Sequence, residues 1–131
     1  MLRENAREVA ARSEVSAERI RVAHILVAFQ GAMRATVTRS MEEAEARAAE
    51  LLARATAGED FIELMKQNSD DSGPGVYGMT TGAPGPEYYP RQGMAPAFGD
   101  VGWRLQVGQI GVAPFDPDKS PFGWHIIKRV E

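Results

Sequence analysis

An α+β domain with a small, mostly antiparallel sheet is the fold class this sequence predicts, and three observations carry it. Two apolar, β-branched runs near opposite ends of the chain, Arg21-Val22-Ala23-His24-Ile25-Leu26-Val27 and Phe122-Gly123-Trp124-His125-Ile126-Ile127-Lys128, read as buried strands. Two capped helical patterns follow each other between them, with no strand to separate them. The resulting order, β–α–α–loop–α–β–β, alternates too irregularly for a doubly wound sheet. A chain of 131 residues makes most simply one domain with room for a core.

Each element has its own signal. In residues 1–19, Leu2, Ala6, Val9 and Ala10 fall at helical spacing among charges, which predicts an N-terminal helical extension, either solvated or held against a partner. Residues 20–29 form the first strand. Both of its faces are apolar, so it belongs in the centre of a sheet covered on both sides. Residues 31–39 are a loop whose charges, Arg34 and Arg39, read as solvated. Ser40 followed by Glu43 is a capping box. Ala44, Ala48, Leu51, Leu52 and Ala55 then keep one helical face, and Gly58 ends it. Asp60 and Glu63 open a shorter helix that buries Phe61, Leu64 and Met65 and stops at Asn68-Ser69-Asp70-Asp71. Residues 72–93, rich in Gly and Pro, read as a long loop of the kind that is often functional. Residues 94–105 carry a short helix that Gly99 and Gly102 weaken by roughly 1 kcal/mol each. Strands at 107–112 and 123–130, separated by a Pro-broken turn, close the chain.

Composition narrows the function classes. Hydrophobic residues make 44% and charged residues 25%, ordinary for a globular protein, and a net charge of −3 argues against a nucleic-acid partner. No apolar run approaches the roughly 18 residues of a membrane span. The charged N-terminus has no secretory apolar region, so the default compartment is the cytoplasm, with an exported form open if a leader has been removed. The absence of cysteine removes disulfides and thiol catalysis. The two histidines, His24 and His125, are the only ones, and their separation gives no metal-ligand spacing. If the two strands pair, one sheet presents both imidazoles from its centre.

Four blocks in order resemble the parvulin family of peptidyl-prolyl cis-trans isomerases. They are Arg21–Val27, Ala57-Gly58-Glu59-Asp60-Phe61 through Asn68-Ser69-Asp70-Asp71, Gly93–Phe98 with Leu105–Ile110, and Phe122–Lys128. The resemblance covers residues 20–131 and makes them the isomerase domain. It implies the FKBP-like superfold: a four-stranded, mostly antiparallel sheet flanked by three to four helices. It implies a catalytic set of His24, Asp71 and His125, and a substrate-binding set of Tyr77, Met94, Phe98 and Phe122. Tyr77 falls where the family has a leucine wall. Ala23 and Ala95 stand where other members often carry polar side chains, and the stretch after Gly78 is longer than usual.

Other readings of these residues stay open. A histidine in an apolar strand is more often a satisfied core residue, and here the pair reads first as orienting Asp71 and the sheet. Asp71 also has the setting of a turn former. Met94 and Phe98, at i and i+4, would ordinarily be core; the resemblance makes them a pocket wall, only partly buried. Tyr88 and Tyr89 are either a plug or a peptide platform.

Isomerisation of an Xaa-Pro bond breaks no bond, so the activity implied here requires no cofactor, and the partners are proline-containing peptides or unfolded protein clients. Recognition of phosphate needs converging cations, and Arg34 and Arg39 are five residues apart, so the expected activity is phosphate-independent. The domain is expected to be a monomer. The alternatives are a weakly catalytic or non-catalytic chaperone module using the same groove, and a purely structural domain.

Overall fold

The computed structural model describes all 131 residues. The elements run α1 (Leu2–Ala10), β1 (Arg19–Val27), α2 (Met41–Thr56), α3 (Phe61–Asn68), β2 (Val76–Thr80), β3 (Tyr89–Pro90), a 3₁₀ turn (Arg91–Gly93), α4 (Pro96–Gly102), β4 (Ile110–Ala113) and β5 (Trp124–Arg129). The sheet order is β3-β2-β1-β5-β4. All pairs are antiparallel except the two-residue pairing of β3 with β2. The first and last strands of the chain are neighbours, and β1 is the central strand that its two apolar faces require.

The sheet has five strands rather than four, because the long loop expected over 72–93 contains β2 and the short β3. In Val76-Tyr77-Gly78-Met79-Thr80 two large side chains, Tyr77 and Met79, alternate about Gly78, but flanking Gly and Pro hide so short a period. Gly78 is required where it stands, because a Cβ there would run into the Glu87 carbonyl and the Tyr88 ring. The strand expected at 107–112 begins only at Ile110. Gly108 has φ +91°, so Val107 lies in a turn and is exposed.

Strand alternation divides the core. Ala23, Ile25 and Val27 of β1, with Trp124 and Ile126 of β5, face α2 and α3, where Ala44, Ala48, Leu51, Leu52, Phe61 and Leu64 close the layer. The capping box of Ser40 with Glu43 and the Asp60 cap start those two helices as expected. Ile20 and Val22 of β1, Met79 of β2 and Ile127 of β5 face the other way, toward Phe98 and Val101 of α4.

The first helix lies along β4. Leu2 and Val9 are buried, the Asn5 Oδ1 accepts the Val112 N–H at 2.9 Å, and its Nδ2 donates to the Ile110 carbonyl at 3.4 Å. The chain then passes Trp103, whose indole N–H donates to the Ala17 carbonyl at 2.8 Å. Arg91 stacks on the same indole 4.6 Å from its centroid and makes a two-pronged ion pair with Glu14 at 2.7 and 2.8 Å. These contacts fix the turn that leads into α4. No helix is long and apolar enough to cross a membrane.

Candidate active site

The open face of the sheet carries His24 on β1 and His125 on β5. In the β1–β5 register His24 lies opposite Ile127 and His125 opposite Leu26, so the imidazoles are diagonal neighbours on one face. Their Nδ1 atoms are 3.1 Å apart, and the His24 Nε2 is 2.9 Å from Asp71 Oδ2. A carboxylate accepts only, so the His24 Nε2 carries a proton. In the neutral pair the His24 Nδ1 then accepts from the Nδ1–H of His125. The remaining His125 nitrogen is buried and unpaired.

Asp71 sits in the turn after α3 and is held from three directions. Its Oδ2 accepts from His24 and from the Tyr77 hydroxyl at 2.8 Å, and its Oδ1 accepts the Gly73 N–H at 3.0 Å. The His24 bond, above all, holds its carboxyl well below the usual carboxylate range, against the desolvation that burial imposes. Burial, then the bond to Asp71, pushes the Tyr77 hydroxyl up to about 12. Complete burial, with the His24 imidazole as its neighbour, pushes the His125 imidazole down to about 3, so it is neutral.

An apolar cup stands beside this chain of hydrogen bonds. The Phe98 ring meets both imidazoles edge-on, with centroids 4.8 Å from His24 and 5.0 Å from His125. Tyr77 stands 6.0 Å from Phe98, and Met94 and Phe122 line the same cavity of about 560 Å³.

The PPIC-type PPIASE domain family matches residues 6–131. This chain is a parvulin-type peptidyl-prolyl isomerase domain. It is 32% identical to the Chaperone SurA of Pseudomonas fluorescens over 85% of its own length, and 34% identical to the Foldase protein PrsA 4 of Bacillus cereus over 79%. It spans only 22% and 39% of those two proteins. The peptidyl-prolyl isomerase ESS1 of Candida albicans has the same fold, with a TM-score of 0.67 at 18% identity, covering 99% of this chain and 73% of that one.

All seven residues named from the parvulin resemblance, His24, Asp71, His125, Tyr77, Met94, Phe98 and Phe122, line this one cavity. Three details differ from expectation. Phe98 is buried, at 6% exposure, so this wall of the parvulin cup is also core. Arg39 is not solvated: it is ion-paired with Asp70 and donates to the Ala28 carbonyl. The two adjacent tyrosines do not share a role. Tyr88 lies between Arg19 and Arg21, whose guanidinium carbons are 5.1 and 5.0 Å from its ring centroid, on the face away from the cavity. Tyr89 faces the cavity, 6.3 Å from Tyr77.

The residues named from the sequence do not include the opposite wall, formed by Met33, Ala35 and Val37. Met33, Ala35 and Val37 alternate with Arg34, Thr36 and Thr38 at a period of two, and that alternation was the available signal.

Proposed function

We propose that this domain accelerates cis-trans isomerisation of Xaa-Pro bonds in protein chains, without phosphate recognition and without a cofactor. The observation that carries the reading is the juxtaposition of the Phe98 cup, with Met94 and Phe122, and the ionised Asp71 that His24 and Tyr77 hold in place. The barrier, about 18–20 kcal/mol, comes from the double-bond character of the amide. The pyrrolidine ring sits in the cup while the preceding carbonyl turns. A fixed negative charge beside that carbonyl disfavours the resonance form that puts negative charge on oxygen, and so favours the twisted amide over the planar one. His24 and His125 orient Asp71 and join the two central strands. Neither takes a proton from the substrate.

Phosphate independence is supported by the cations. Arg39 is held by Asp70, which leaves Arg34 as the one arginine lining the cavity. Residues 1–19 serve in this reading as an extension that braces the isomerase domain of residues 20–131.

The test is NMR exchange on paired Xaa-Pro tetrapeptides. Acceleration of an unmodified peptide, with less than tenfold preference for its phosphorylated twin, is the expected result. Tenfold better turnover of the phosphopeptide would overturn phosphate independence.

A second reading is favoured by the length of the groove. The Met33–Val37 wall extends an apolar surface beyond what one proline ring fills, and two relatives are named as a chaperone and a foldase. Under that reading the groove holds extended client segments with little turnover. Binding without acceleration in the same NMR experiment would select it.

A further inference from the structure

The hydroxyl of Tyr77 does something that its ring does not. In the cup the ring is a wall, and a leucine would serve. The hydroxyl points instead at Asp71 Oδ2, 2.8 Å away, on the oxygen that His24 also binds at 2.9 Å. The intervening turn is shaped to allow this. A Cβ at Gly73 would lie 2.5 Å from the Tyr77 oxygen and 3.3 Å from Asp71 Oδ1, so a glycine is needed for the tyrosine to reach. The Gly73 N–H meanwhile holds Oδ1 at 3.0 Å.

We propose that Tyr77 is a positioning residue whose hydroxyl, with the Gly73 N–H, holds the Asp71 carboxylate in the single orientation in which its Oδ2 meets His24. The inference rests on the isomerase reading for its kinetic consequence but not for its chemistry. Without that hydroxyl the carboxylate keeps only one donor on each oxygen, His24 on Oδ2 and the Gly73 N–H on Oδ1; the second donor on Oδ2 restrains its rocking and disfavours its protonation. An ionised Asp71 obliges the His24 Nε2 to carry hydrogen, and that obliges the His24 Nδ1 to accept from His125. The hydroxyl on β2 therefore braces the carboxylate from which the tautomers on β1 and β5 follow. The other ionisable groups near Asp71 do not substitute for it. Asp70 is paired with Arg39, Tyr89 faces Tyr77 across 6.3 Å, His125 reaches Asp71 only through His24, and Arg34 lines the cavity without an ion-pair partner.

Tyr77→Phe keeps the ring and removes the hydroxyl. The experiment is a carbon-detected titration of the Asp71 carboxyl, with nitrogen spectra of the His24 ring, in wild type and variant. In the variant Asp71 should titrate about half a pH unit higher or more and its carboxyl resonance should broaden, while His24 keeps its proton on Nε2. In kinetics, kcat should fall by about tenfold with KM unchanged, and the acid limb of kcat/KM should move to higher pH. Tyr77→Leu, which keeps an apolar wall without the hydroxyl, should lower kcat in the same way. Gly73→Ala, which displaces the hydroxyl without deleting it, should reproduce the titration shift. Titration of Asp71 at the same pH in wild type and both variants would overturn the proposal. A wild type without isomerase activity would overturn the isomerase reading instead, and the NMR titration would still decide the role of Tyr77.

Discussion

The two faces of one sheet have been put to different uses. Odd residues of β1, Ala23, Ile25 and Val27, lie in the hydrocarbon core beneath α2 and α3. Even residues, Val22, His24 and Leu26, lie under α4 and the groove, where a chain of four hydrogen-bonding side chains replaces hydrocarbon. The closed face is covered by two helices, α2 and α3 of 16 and 8 residues, whereas α4 has seven and covers only part of the other. Uncovered sheet is what leaves room for a ligand. Stability and function are thus separated by the period of two that puts neighbouring residues on opposite faces.

Phe98 is the place where that separation breaks. It is both cup wall and core, so Phe98→Ala should cost about 3–5 kcal/mol and also abolish most activity in the molecules that remain folded. Normal specific activity in the folded fraction would make it core alone. On the closed face, Leu51→Ala should cost about 2–5 kcal/mol and leave specific activity unchanged. Urea unfolding with parallel exchange assays measures both, and an activity loss in Leu51→Ala would show that the faces are coupled.

Acid should distinguish the faces further, since only the open one carries buried ionisable groups. His125 titrates near 3 in the folded protein against an ordinary 6.5, so between these values the unfolded chain holds a proton that the folded one lacks. Stability is full above about 6.5 and falls as the pH drops toward 3. Asp71, depressed from 3.8, contributes stability above that value, and its loss adds to the decline below it. His125→Leu should flatten the decline between 6.5 and 3.8 while keeping the one below. An unchanged slope in unfolding midpoints across that range would show that the imidazole titrates normally.

The smallest effect on stability is expected at the rim. Tyr89 is 55% exposed, so Tyr89→Ala should change stability by less than about 0.5 kcal/mol while reordering a panel of peptides that differ in the residue beside proline. An unaltered ranking would remove Tyr89 from the site.

Legibility in the sequence followed the same division. The closed face was readable, because capping pairs and the Ala44–Ala55 spacing are local, and β1 and β5 announce themselves as β-branched runs. The two histidines on one sheet were readable from those same runs, while Asp71, Tyr77, Met94, Phe98 and Phe122 came through resemblance to a family whose blocks this chain keeps in order. What stayed hidden depends on distant partners. β2 is defined by pairing with β1 rather than by its own composition. Tyr88 and Tyr89 part company only because the chain there pairs with the sheet edge, which sends consecutive side chains to opposite faces. The bond between Tyr77 and Asp71 crosses a turn whose shape the glycine at 73 allows but does not advertise.

The Asn5 side chain has a consequence for life at high concentration. A sheet's outer strand offers bare amides to any neighbouring chain, and that is how folded proteins zip into aggregates. At the β4 rim, Asn5 occupies the Val112 N–H and the Ile110 carbonyl with a single amide group, as one residue of an added strand would. At the opposite rim β3 is two residues long and ends in Pro90, which has no N–H to give. Both rims are therefore guarded against recruiting other chains, or copies of this one, into a growing sheet.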